Sequence, residues 1–212
     1  MHARIRRTAT AAILTAAVLT TAAPVASATT APTVAGEYRP TEAVRTTASV
    51  DYRTWQRDVA AVIGVARPYL EQRTSQPSGE KRAIVLDIDN TSLETDFHPF
   101  WEYPTPAVKP VLDLARFADS RGVDVFFVTA RPGIIHSLTD YNLRKAGYPV
   151  DGLHVRDLPD LFEEVSVYKT AQRAAIEAKG YTIIANIGNK ESDLVGGHAE
   201  KTFKLPDYGQ LS

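Results

Sequence analysis

The chain of 212 residues contains no cysteine. No disulfide can hold it together, so its stability has to come from a buried core. No strong charge of either sign is present: 24 Lys+Arg stand against 25 Asp+Glu, a formal charge of −1. After residue 28 no run of basic residues interleaved with aromatics appears, which argues against a nucleic acid polymer as the main partner. There is no internal repeat and no long hydrophobic run. The longest apolar stretch, Ala11 to Ala23, falls short of the roughly 20 residues needed to span a bilayer.

What is present begins with an export signal. Arg4, Arg6 and Arg7 precede that apolar stretch, and Ala26-Ser27-Ala28 follows it as a small-residue cleavage site. This pattern reads as a secretory signal peptide over 1–28. It predicts a secreted protein with no stable membrane anchor and no lipidated cysteine. Residues 29–50, rich in Ala, Thr, Pro and Val, read as a flexible linker. Residues 51–212 are long enough for one domain with a sizeable core.

Apolar residues recur at three- and four-residue steps from Tyr52 to Leu70, which predicts a helix over 51–73 with Asp51 as N-cap and Pro68 bending or ending it early. Strands are expected at 83–87, 123–130, 153–158, 181–187 and, weakly, 202–205. Helices are expected at about 110–120, 134–146 and 166–179. Strand and helix alternate, so the fold class is α/β, with a mostly parallel sheet covered by helices on both faces. The stretch 92–110 carries four prolines and Phe97, Phe100, Trp101 and Tyr103. It is neither a regular helix nor a central strand.

In such sheets ligands bind beyond the carboxyl ends of the strands. The first strand runs into Asp87-Ile88-Asp89-Asn90-Thr91. A strand repeats every two residues, so Asp87 and Asp89 can share a side. Two carboxylates that close need a cation between them, or a proton on one. The second strand ends in Thr129-Ala130-Arg131, and the fourth leads into Gly188, Asn189 and Asp193. Lys169 lies near the start of the helix before it. Oxygen ligands with two or three charges suit Mg²⁺, and a hydroxyl, an ammonium and helix N-terminal amides suit a phosphate. Together they point to phosphoryl chemistry.

The order Asp-Ile-Asp-Asn-Thr, Val-Thr-Ala-Arg, Tyr-Lys-Thr and Gly-Asn-x-x-x-Asp resembles the four motifs of the haloacid dehalogenase (HAD) superfamily of phosphatases. More narrowly, residues 80–206 resemble secreted acid phosphatases of classes B and C and the plant vegetative storage proteins. The resemblance implies a three-layer Rossmann-like core with a minimal cap and an N-terminal helix. It implies catalytic roles for Asp87 (nucleophile, forming an aspartyl phosphate), Asp89 (acid and then base), Thr129 and Lys169. Asn90, Thr91, Ala130 and Arg131 would face phosphate or substrate. Mg²⁺ would be held by Asp87, the main chain of Asp89, Asn189 and Asp193. An acid is usual where this chain has Asn189, so weak Mg²⁺ binding is expected. Asp89 can act as an acid only if its surroundings raise its pKa or the working pH is acidic.

The expected partners are small phosphomonoesters, with a homo-oligomer allowed. Two other functions fit the same residues: a non-catalytic storage or binding protein, and a phosphotransferase to alcohols. The 92–110 aromatics would either rim an open site or pack as core beneath a loop. His98 could donate a proton or bind substrate, but a loop histidine is more often neither. His136, His154 and His198 show no ligand spacing.

Overall fold

The apolar run at 83–86 forms the middle strand of the sheet, and Ala83, Ile84, Val85 and Leu86 are all buried. A computed structural model describes residues 50–99 and 101–212, which lie in one compact unit, Thr46–Ser212. The expectations for the leader, for 29–49 and for Phe100 lie outside the described residues. Among those described, no helix is long and apolar enough to cross a membrane.

In chain order the elements are α1 (Tyr52–Arg73), β1 (Lys81–Leu86), α2 (Lys109–Ser120), β2 (Asp124–Pro132), α3 (His136–Ala146), β3 (Gly152–Arg156), α4 (Val165–Ala178), β4 (Tyr181–Gly188), the single turn α5 (Glu191–Leu194) and β5 (Thr202–Lys204). All strand pairings are parallel, in the order β3-β2-β1-β4-β5. The winding reverses between β1 and β4, and the crevice at such a reversal is where ligands bind.

Alternation along β1 divides the core. Ile84 and Leu86 point to one face, where α1 and α2 pack; Ala83 and Val85 point to the other, under Tyr168 and Ile176 of α4. The Asp51 carboxylate caps α1, accepting from the Thr54 N–H at 2.8 Å. Its buried stripe is Trp55, Val59, Ile63, Ala66 and Leu70. Pro68 does not end this helix early, one of the two effects expected of it: α1 runs on to Arg73. A proline crowds the carbonyl four residues back. That residue is Gly64, and burial of Leu70, two residues beyond Pro68, holds the last turn down.

The pairing of β1 with β4 slips by one residue between Ala83 and Ile84, leaving Ile184 as an extra residue on β4. Such a bulge re-aims the side chains after it. Ile184, Ala185 and Ile187 join the α1 face, and Asn186 turns toward α5, where its Nδ2 donates to the Asp193 carbonyl at 2.9 Å.

The proline-rich stretch forms one 3-10 turn, Thr95–Phe97, and a bridge from Leu93 to Ala107, which is a minimal cap. Among its described aromatics, Phe97, Trp101 and Tyr103 do not line the cavity at the strand ends. Phe97 stacks on Trp55 with ring centroids 4.4 Å apart and meets Tyr52 edge-on. Tyr103 stacks on Tyr141, and Trp101 is exposed. Phe97 therefore packs against the core, whereas Tyr103 meets α3 at the surface.

Candidate active site

Asp87 follows directly on β1, and its N–H donates to the Ile187 carbonyl at 3.0 Å, tying it to the end of β4. Lys169, one turn into α4, reaches across. Its Nζ lies 2.6 Å from Oδ1 of Asp87 and 2.6 Å from Oδ1 of Asp193. All three are buried. Two carboxylates thus share one ammonium, which leaves the trio one negative charge in excess. Burial pushes the Asp87 carboxyl up, Lys169 pulls it down and Asp193 pushes it up again; the net direction is up. Burial pushes Lys169 down, but the two aspartates outweigh that and hold it charged.

Asp193 is fixed from three sides. Its Oδ2 accepts the Lys190 N–H at 2.8 Å, and its carbonyl accepts from Asn186 and from Nη1 of the buried Arg173 at 2.7 Å. Gly188 makes the approach feasible, because a Cβ there would sit 2.4 Å from the Asp193 Cβ.

Asp89 is less deeply set and pairs with Arg131, whose Nη2 is 2.7 Å from Oδ1 and whose Nε is 3.1 Å from Oδ2. Thr95 Oγ1 also donates to Oδ1 at 2.8 Å. Burial raises the Asp89 pKa, but Arg131 and Thr95 win and bring it below the ordinary value. Of the two routes to a protonated Asp89, raising by its surroundings is therefore absent while Arg131 holds it. Thr129 is fully buried and its Oγ1 accepts the Arg131 N–H at 3.2 Å.

Asn90 and Thr91 are fully buried, and their polar groups are used within the protein. The Asn90 N–H donates to the Leu93 carbonyl and the Thr91 N–H to that of Ile88. Thr91 Oγ1 donates to Asn189 Oδ1 at 3.2 Å. Asn90 sits at φ 53°, a left-handed conformation that asparagine tolerates, and its Nδ2 donates to Ser212. These hydrogen bonds build the loop that follows β1, and neither residue is among those lining the cavity at the strand ends.

A cavity of about 290 Å³ opens onto Asp87, Asp89, Ala130, Lys169, Asn189 and Asp193, with Val165 at the start of α4 beside them. Sequence reasoning passed over Asn186, Arg173, Asp96 and Ser212. No motif marks them, since each acts through contacts that only the fold creates. No cluster of three or more His, Cys, Asp or Glu poised for a metal occurs among the described residues. The donor set nevertheless fits a hard cation. Two buried carboxylates and the Asn189 carboxamide line one cavity, and the trio's excess negative charge is what a cation would offset.

The family model described as HAD superfamily, subfamily IIIB (acid phosphatase), matches residues 6–104 and 100–211, and the chain belongs to that family. It is 37% identical over 106 residues to the stem 28 kDa glycoprotein of Glycine max, covering 48% of this chain and 42% of that protein. It is 33% identical over 104 residues to acid phosphatase 1 of Solanum lycopersicum, covering 48% of this chain and 41% of that one. The chain thus spans less than half the length of these relatives. Its fold is similar to that of the class C acid phosphatase from Bacillus anthracis, with a TM-score of 0.59 and 17% identity over 74% of this chain and 79% of that one.

Proposed function

We propose that the protein is a secreted, Mg²⁺-dependent acid phosphatase that hydrolyses phosphomonoesters through an aspartyl phosphate on Asp87. The observation that carries this reading is the buried Asp87–Lys169–Asp193 trio at the floor of the cavity. Lys169 holds Oδ1 of Asp87, which leaves Oδ2 to attack phosphorus. As the new bond forms, the bond to the leaving oxygen breaks, and Asp89 gives that oxygen a proton. Asp89 then takes a proton from the water that cleaves the acyl phosphate. The lowered pKa of Asp89 makes release from Arg131 a condition of the first step, because an acidic pH alone would protonate Asp87, whose pKa is raised, before Asp89.

The Thr129 hydroxyl, the Lys169 ammonium and the start of α4, where Glu164 makes no side-chain cap, supply donors for the phosphoryl oxygens. Asp87, the Asp89 carbonyl and Asn189, with Asp193 beside them, would hold Mg²⁺. When bound, the ion supplies charge neutralisation for the transferring group. A phosphoryl group would fill only part of the cavity of about 290 Å³, which leaves room for part of the leaving group, and a broad range of small phosphomonoesters is expected.

Turnover of an aryl phosphate, lost with EDTA and lost again in Asp87→Asn, is the expected result. A mass increase on Asp87 after acid quench of the working enzyme would identify the intermediate. The uncharged Asn189 favours a second reading, a storage or binding protein of the same fold; absence of turnover in every divalent metal would establish it. Phosphate transfer to added alcohol would mark a phosphotransferase.

A further inference from the structure

Ser212 lies where the two loops of the site meet. Its carbonyl oxygen accepts from Asn189 Nδ2 at 2.9 Å and from Asn90 Nδ2 at 3.2 Å. Its own N–H donates to Asp96 Oδ2 at 2.6 Å, and its Oγ donates to Asp96 Oδ1 at 2.6 Å. The ring closes when the Asp96 N–H donates to Asn90 Oδ1 at 2.9 Å. Ser212 also borders the cavity that holds Asp87. Neither Asp96 nor Ser212 is buried, so this network contributes little to the core; its geometric effect falls on the site.

We propose that Ser212, held by Asp96, is a positioning residue that fixes which end of the Asn189 carboxamide faces the metal-binding position. The inference rests on the metal-dependent reading above. A carboxamide has one oxygen and one NH₂ that differ as ligands, and a half-turn of its last torsion exchanges them. A hard cation accepts the oxygen and rejects the NH₂. The other side-chain partner of Asn189 is the Thr91 hydroxyl, which can donate to the oxygen or accept from the nitrogen, so it does not discriminate. A carbonyl oxygen can only accept. The Ser212 carbonyl therefore requires Nδ2 on its side and sends Oδ1 the other way. An aspartate at position 189 would need no such device, because its two oxygens are equivalent. The chain carries an amide where the motif it resembles has an acid, together with a contact that orients the amide.

The test is Mg²⁺ affinity by titration calorimetry on the metal-free full chain, with circular dichroism to show folding. In Asp96→Ala the affinity is expected to fall about tenfold or more, the usual cost of losing a group that orients a metal ligand. Asp96→Asn, which can still accept from the Ser212 N–H and donate to its Oγ, should stay within about threefold of the parent. In an Asn189→Asp background, adding Asp96→Ala should change affinity by less than about threefold. A merely structural role for Asp96 would cost the same in both backgrounds, and that result overturns the proposal. So does an Asp96→Ala protein that binds Mg²⁺ like its parent. If Asp96→Ala fails to fold, Ser212→Pro, which loses both the N–H and the Oγ contacts to Asp96, carries the same comparison. A parent protein that binds no Mg²⁺ would remove the metal-dependent reading itself, an outcome distinct from equal binding by parent and variant.

Discussion

Arg131 grips Asp89 through two nitrogens, with Nη2 2.7 Å from Oδ1 and Nε 3.1 Å from Oδ2. The guanidinium fork fixes the plane of the carboxylate as well as its place. If Asp89 serves as acid and then base, Arg131 orients the group that moves the proton. Asp89→Asn is expected to lower kcat by about 10²- to 10⁴-fold, the usual share of a general acid. Arg131→Ala should lower it less. Residues that act as a unit are not additive, so the double variant should be no slower than Asp89→Asn alone. Steady-state kinetics on the four proteins decides this; additive losses would mean that Arg131 acts on substrate independently of Asp89.

Lys169 is the sole cation bonded to both Asp87 and Asp193 among the described residues, and it is buried with them. Removing one partner of a buried ion pair costs about 3–5 kcal/mol, because uncompensated charge stays in the interior. Lys169→Met is therefore expected to lose both activity and stability, by about that amount in urea unfolding. Asp193→Asn added to Lys169→Met removes one of the stranded carboxylates. It should restore part of the stability and none of the activity, a separation that distinguishes charge burial from lost packing.

The pH dependence of stability has a source away from the catalytic aspartates. His98 sits between Glu94 and Glu102, with Nε2 3.1 Å from one and Nδ1 3.1 Å from the other. Burial lowers its pKa, but hydrogen bonds to Glu102 and Glu94 outweigh burial, so the folded value lies above the ordinary one of about 6.5. A raised histidine pKa gives stability that is fully present below about pH 6.5 and is lost as pH rises through the folded value. Unfolding free energy should thus fall between about pH 6 and 8 in the parent. His98→Gln should flatten that slope; an unchanged slope would place its origin elsewhere.

Much of the architecture was legible because it rests on local pattern. The alternation of β-branched runs with amphipathic segments marked each main strand and helix, and Asp87, Asp89, Lys169 and Asp193 do converge on one cavity. What was not legible depends on registry and long-range contact. The bulge at Ile184 turns Asn186 toward Asp193, and nothing in Tyr-Thr-Ile-Ile-Ala-Asn announces an extra residue. Phe97 read as well for a site rim as for core, and only the position of Trp55 on α1 decides between them. Asp96 and Ser212 are 116 residues apart in sequence, and their pairing follows from the chain's return past β5.

Gly188 tests how closely the site is fitted. It ends β4, and a Cβ added there would lie 2.4 Å from both Cβ and Oδ2 of Asp193. Asp193 cannot move aside freely, since Arg173 and Asn186 hold its carbonyl and Lys190 N–H holds its carboxylate. Gly188→Ala should therefore push Asp193 away from Lys169 or bend the end of β4. Overpacking of this kind costs about 1–3 kcal/mol, so the variant should remain folded. Its kcat is expected to fall well beyond what the stability change would suggest, because Lys169 loses one of the two carboxylates that fix its position against Asp87. Asp193→Gly in the Gly188→Ala background removes both the Cβ and the carboxylate that overlap, and should recover part of the stability while leaving kcat low. A Gly188→Ala enzyme with parental kcat would show that the Asp193–Lys169 contact is not needed for turnover.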